Sequence, residues 1–205
     1  MLNQTLNEHS SISLLGCNVS SNLNWSSQVR AVAWWASSRL SVLRRAKQFF
    51  SSNQLLLYKA QVRPVMEYCS HIWPRSATHV LNYVQDKAVR LINNSALTND
   101  LQTLSHRRDV SCLSLFYRYY FGQCSDELAA ITPKPRTFIR STRNDCFSNP
   151  YQVTVPRTRT ELYKQSFFPS TAILWNRLPC YVFPSTMSLQ SFKTSVNRLE
   201  LDRIH

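Results

Sequence analysis

Metal-dependent polymerases and nucleases need carboxylates that converge on paired cations, because the attacking and leaving oxygens must both be stabilised. Here Asp86, Asp100, Asp109, Asp126 and Asp145 are spread along the chain without such a cluster, and there is no Tyr-x-Asp-Asp turn. Asp126 and Glu127 are adjacent, but they follow Ser125 at the start of a short helix, where negative charge suits the helix dipole, so the pair reads as structural. A Gly-x-Ser-x-Gly elbow and a His-Glu-x-x-His helix are also missing. His71, His79 and His106 have no sequence-local partner to orient them as bases, and none is given a role. The expectation is a chain that is not an enzyme, with no catalytic residue.

Six cysteines (Cys17, Cys69, Cys112, Cys124, Cys146, Cys180) occur without a Cys-x-x-Cys pair or a following His pair at zinc-ligand spacing. No metal site is expected. Met1 to Ser10 is polar and lacks the apolar segment of a secretory signal, so the thiols read as reduced core residues and the sequons at Asn3, Asn18, Asn24 and Asn93 as chance. Gly16 and Gly122 are the only glycines. Loops that cradle phosphates need several, so P-loop and dinucleotide-binding motifs are excluded and no cofactor is expected.

What the chain does offer is charge. Lys and Arg number 24 against 11 Asp and Glu, a net charge of +13, which attracts polyanions and on its own implies nucleic acid or an acidic membrane surface. The candidate nucleic-acid-binding residues are Arg44, Arg45, Lys87, Arg90, Arg107, Arg108, Arg136, Arg140, Arg143, Arg157 and Arg159. Those from Arg136 to Arg159 lie in a Pro-rich stretch among Ser and Thr, a mixture suited to phosphate oxygens regardless of base sequence, and this stretch is the leading basic surface. The longest apolar run, Ala31 to Ala36, is too short to span a bilayer, so no membrane association is expected.

A mainly α fold must position these cations. After Asn24, a plausible N-cap, Trp25, Val29, Val32, Ala36, Leu40, Leu43 and Phe50 recur at helical spacing, with Arg30, Arg44 and Arg45 facing away. A second helix runs from Asn53 to Trp73 with a kink or break near Arg63 caused by Pro64. A third carries Val80, Val84, Ala88 and Leu91 and ends at Asn93 and Asn94. Beyond Asp100, a turn through Arg107 and Arg108 leads to a helix dense in aromatics, read as core, which Gly122 stops. Val153 to Val155 is one brief strand-like run, and closing helices lie around Leu162 to Leu178 and Leu189 to Leu201. The expected fold is a bundle of about three N-terminal helices followed by an extended Pro/Arg-rich segment and C-terminal helices, divided into a polar tail (1–13), a helical bundle (14–131), a basic Pro/Arg-rich arm (132–160) and a C-terminal helical segment (161–205).

Several of these stretches share an order with a known family. They are Leu15-Gly16, Leu23-Asn24-Trp25, Leu57-Tyr58-Lys59, Val62-Arg63-Pro64-Val65-Met66-Glu67-Tyr68-Cys69-Ser70, Ile72-Trp73, and Val84-Gln85-Asp86-Lys87-Ala88-Val89-Arg90-Leu91-Ile92. Leu104-Ser105-His106-Arg107-Arg108, Arg140-Ser141-Thr142-Arg143, Ala172-Ile173-Leu174-Trp175-Asn176-Arg177-Leu178-Pro179 and Ser191-Phe192-Lys193 follow. From about Leu14 to Leu199, the chain resembles the end of the reverse transcriptase of jockey- and CR1-like non-LTR retrotransposons.

The resemblance implies the thumb and post-polymerase region, which holds template and growing strand, without the palm that synthesises DNA and without the endonuclease. It implies an RNA-directed DNA polymerase fragment that binds RNA or an RNA/DNA hybrid non-specifically, beside a complete element-encoded reverse transcriptase; with no secretory signal and no membrane span, the expected location is inside the cell, in cytoplasm or nucleus. The alternative is an inert degenerate transposon relic or a helical protein-interaction module with no nucleic-acid role; in either case loss of the palm would expose an apolar patch where the bundle once docked.

Overall fold

The computed structural model describes residues 9–49, 53–73, 78–136, 149–184, 186, 188–199 and 201. The chain is mainly helical, with one small two-stranded sheet among the described residues. It divides into two compact units: residues 1–69 with 76–101, and residues 70–75 with 102–205.

The first unit opens on a hairpin. Strands β1 (Ser11–Leu14) and β2 (Cys17–Ser20) pair antiparallel with Leu14 opposite Cys17 and Ser11 opposite Ser20. Leu15 (φ 48°) and Gly16 (φ 77°) form the two-residue turn between them, and positive φ at both is the type I′ form that matches strand twist. This hairpin was not expected. All four residues of β1 are exposed, so the strand shows none of the alternation by which half-buried strands are recognised. Two bonds anchor it: the Asn18 N–H donates to Gln28 Oε1 (2.9 Å), and the Tyr68 hydroxyl donates to the Leu15 carbonyl (2.9 Å).

Helix α1 spans Ser26–Arg45, so its N-cap is Trp25 and not Asn24 as expected, but the Asn24 side-chain oxygen still accepts the Ser26 N–H at 2.9 Å. That bond satisfies one of the donors that a helix start leaves unpaired. Val29, Val32, Ala33, Ala36, Leu40 and Leu43 are buried at the expected spacing, leaving Arg30, Arg44 and Arg45 exposed.

The next segment is helical but changes its hydrogen-bond period: α2 (Gln54–Leu57), a π-helical turn (Tyr58–Val62), then α3 (Arg63–Glu67). Pro64 has no N–H to return to a carbonyl in the preceding turn, and the wider π turn precedes it. Tyr58, Val62 and Met66 form its buried stripe, packed towards α1. The helix stops at Glu67, with Tyr68 extended and Cys69 at φ 52°, and does not continue to Trp73 as expected.

Helix α4 (His79–Ile92) packs on α1, buries Leu81, Val84 and Ala88, and ends in Asn93 in the left-handed conformation (φ 51°, ψ 41°). Asn is the side chain that tolerates that position best after Gly. The short α5 (Ser95–Thr98) closes the unit, with the Asn94 side chain accepting the Leu97 N–H.

The second unit is built on α6 (Leu104–Tyr120), whose N-cap Thr103 accepts the His106 N–H. Arg107 and Arg108 therefore lie inside this helix, where a preceding turn was expected. Gly122, at φ 74°, ends it, with the Gln123 N–H reaching back to the Arg118 carbonyl at 2.7 Å. A short helix α7 (Asp126–Ile131) follows Ser125. Beyond it come α8 (Glu161–Lys164), α9 (Phe167–Asn176), a 3₁₀ turn (Cys180–Val182) and α10 (Leu189–Asn197).

Leu113, Phe116 and Tyr117 of α6, Ala172 and Trp175 of α9, and Phe192 and Val196 of α10 form the core of this unit. Phe116 and Trp175 have ring centroids 5.0 Å apart, and Tyr117 stacks on Phe192 at 4.4 Å. These aromatics thus occupy the interior, as their density suggested. The unit boundary falls after Leu101, within the stretch first drawn as a single segment (14–131). The reason is that α6 buries its aromatics with α9 and α10.

Candidate nucleic-acid interface

Polyanion binding needs cations that are exposed, near one another and not already neutralised. In the first unit, the C-terminal halves of α1 and α4 border a groove of about 380 Å³ lined by Ser37, Leu40, Ser41, Arg44, Lys87, Arg90 and Leu91. Three of the candidate residues, Arg44, Lys87 and Arg90, are brought together here. Arg44 lies seven residues after Ser37, two turns along one face of α1; Lys87 and Arg90 are three apart on α4.

All three cations are exposed, and among the described residues none is in an ion pair. Lys87 lies 4.3 Å from the ring centroid of Tyr83, a cation–π contact that orients the ammonium without cancelling its charge. Ser37 and Ser41 add hydroxyls to the wall, although Ser41 Oγ already donates to the Ser37 carbonyl at 3.0 Å. The Leu91 carbonyl accepts from Lys47 Nζ.

The other candidates are distributed differently. Arg45 is exposed on α1 but is not among the groove-lining residues. Arg107 is half-buried and Arg108 is only 3% exposed. A guanidinium so enclosed cannot meet a phosphate in solvent, so Arg108 is withdrawn as a binding residue. The sequence held the signal: Arg108 stands four residues after Leu104 and four before Cys112, both buried on one helix face.

Arg136, Arg157 and Arg159 are exposed in the second unit; Arg140 and Arg143 lie outside the described residues. The base of the arm is tied together, with the Arg136 N–H donating to the Gln152 carbonyl (2.8 Å) and the Thr154 N–H to the Lys134 carbonyl (3.0 Å) around a bridge between Pro135 and Val153. Val153 points its own N–H and carbonyl the other way, where the Asn176 side chain takes both at 2.8 Å. Trp175 Nε1 donates to the Tyr151 carbonyl, and Asn149 Nδ2 donates to the Trp175 carbonyl. The Leu-Trp-Asn run of α9 is thus a structural clasp on the returning end of the arm.

Burial lowers the His71 pKa, and His106 is buried with its ring 3.2 Å from the Asn197 carbonyl. Burial, then a hydrogen bond and charge interaction with Cys69, push the Cys17 thiol up to about 11. Among the described residues, Cys17, Cys69, Cys112, Cys124 and Cys180 are not joined in disulfides. Among the described residues, no three His, Cys, Asp or Glu side chains gather as metal ligands, and no helix is long and apolar enough to cross a membrane.

The chain matches no protein-family model, and no curated protein and no solved structure matches it.

Proposed function

We propose that this chain is a non-catalytic piece of a retrotransposon reverse transcriptase that holds RNA or an RNA–DNA hybrid by its backbone, without reading base sequence. The observation that carries the reading is the grouping of Arg44, Lys87 and Arg90 on one α1–α4 groove, exposed and without carboxylate partners among the described residues. The ordered motif resemblance to the thumb and post-polymerase region supports the same role, and the +13 net charge supplies a long-range field for it.

Backbone binding releases condensed counterions, so affinity falls with salt in proportion to the phosphates contacted. The test is the affinity of the chain for single-stranded RNA and for an RNA–DNA hybrid, titrated across salt. Replacing Arg44, Lys87 and Arg90 together by Ala should lower the slope of log affinity against log salt by about 2 for single strands. Absent binding, or binding indifferent to salt, would overturn the proposal.

A further inference from the structure

Helix α1 also carries two exposed aromatics, one of them in line with its groove residues. Trp34 is 63% exposed and Trp35 57%, an unusual cost in apolar surface for two of the five tryptophans of the chain. Helical spacing separates their directions. Arg30, Trp34, Ser37, Ser41 and Arg44 follow one another at steps of four and three, so they form one continuous stripe, and its last three members line the groove. Trp35 lies about 100° further round the helix and is off that stripe.

The two indoles meet edge to face, with centroids 4.9 Å apart and planes at 78°. In that geometry each ring keeps at least one face uncovered by the other. Trp35 braces Trp34 without covering it on both sides. Across the groove, α4 repeats the combination: Tyr83, 52% exposed, is followed at four and then three residues by Lys87 and Arg90.

A cationic track with an open aromatic face in line with it is how proteins hold unpaired nucleotides, the backbone lying on the charges and a base on the ring. A duplex cannot use the second feature, because its bases are already stacked on one another. Resting on the backbone-binding reading above, we infer that the groove takes a single-stranded stretch of nucleic acid, with one unpaired base stacked on Trp34 beside the Arg44–Lys87–Arg90 track.

The test compares two probes of equal length and charge: an oligouridine of about 12 nucleotides and the corresponding abasic ribose-phosphate strand. Trp34→Ala should weaken oligouridine binding about tenfold and leave abasic-strand binding unchanged, while Trp34→Phe, which keeps a π-face, should retain most of the affinity. Trp34 is on the surface, so these variants should keep the helical circular-dichroism spectrum of the parent. If Trp34→Ala binds oligouridine like the parent, or loses equally on both probes, stacking is overturned. In those cases a salt slope still lowered by the Arg44, Lys87 and Arg90 substitutions would leave the backbone reading standing. Salt-insensitive or absent binding of both probes by the parent chain would overturn both.

Discussion

Lys47 Nζ donates to the Leu91 carbonyl at 2.6 Å, joining two residues 44 positions apart. Leu91 lies in the last turn of α4, where carbonyls have no N–H ahead of them to accept and where the helix dipole favours a cation. One side chain therefore satisfies an orphan acceptor, complements the dipole and ties the turn after α1 to the end of α4. Lys47→Met, which keeps the alkyl stem and removes the ammonium, should lower unfolding free energy by about 1 kcal/mol in urea denaturation. The loss should be smaller in high salt, since part of the effect is electrostatic.

Asn176 gives a sharper case. Its amide takes both the N–H and the carbonyl of Val153, a residue only 1% exposed. Asn176→Leu leaves both backbone groups buried and unpaired, so the expected destabilisation is about 2–3 kcal/mol. Hydrogen exchange at the Val153 amide should accelerate more than at the α6 core amides, because the clasp on the arm opens locally first.

His71 confers a pH dependence. Burial holds its folded-state pKa below the usual 6.5, so between those two values the unfolded chain binds more protons than the folded one. Its contribution is complete above about pH 6.5 and is lost as pH falls towards the folded-state value. Urea midpoints measured at neutral and mildly acidic pH should therefore differ less in His71→Gln than in the parent chain.

The Cys17 thiol, raised to about 11 and only 2% exposed, stays protonated and shielded at neutral pH. Since the thiolate is the nucleophile, alkylation of Cys17 should be far slower in the folded chain than in urea, followed by mass spectrometry of the labelled peptide.

Periodicity located α1 and α4 well because each buries one face against the other and so carries a 3.6-residue apolar pattern. Local stop signals were also legible: Asn93 and Gly122 stand at the left-handed positions that end α4 and α6. The hairpin was hidden because its outer strand buries nothing. Arg107 and Arg108 belong to α6 and not to a turn, since Thr103 caps the helix ahead of them and Leu104, Arg108 and Cys112 recur at the helical step of four. The groove was only half legible. Arg44, Lys87 and Arg90 were named individually, but their meeting depends on which flank of α1 faces α4, a tertiary choice that spacing alone leaves open. The Asn176 clasp was likewise invisible, since the N–H and carbonyl it serves lie 23 residues away.

The six residues 70–75 belong to the second unit although the chain on either side of them builds the first. Within that excursion, the Ser70–Ile72 turn packs on α6 and the His71 ring meets Phe167 edge to face. Dissection therefore cannot be done with one cut. A recombinant fragment beginning at Gln102 would lack the piece that covers part of α6, and one ending at Leu101 would carry a stray insertion with nothing to settle on. A stop codon after Leu101 would thus damage more than the half it removes.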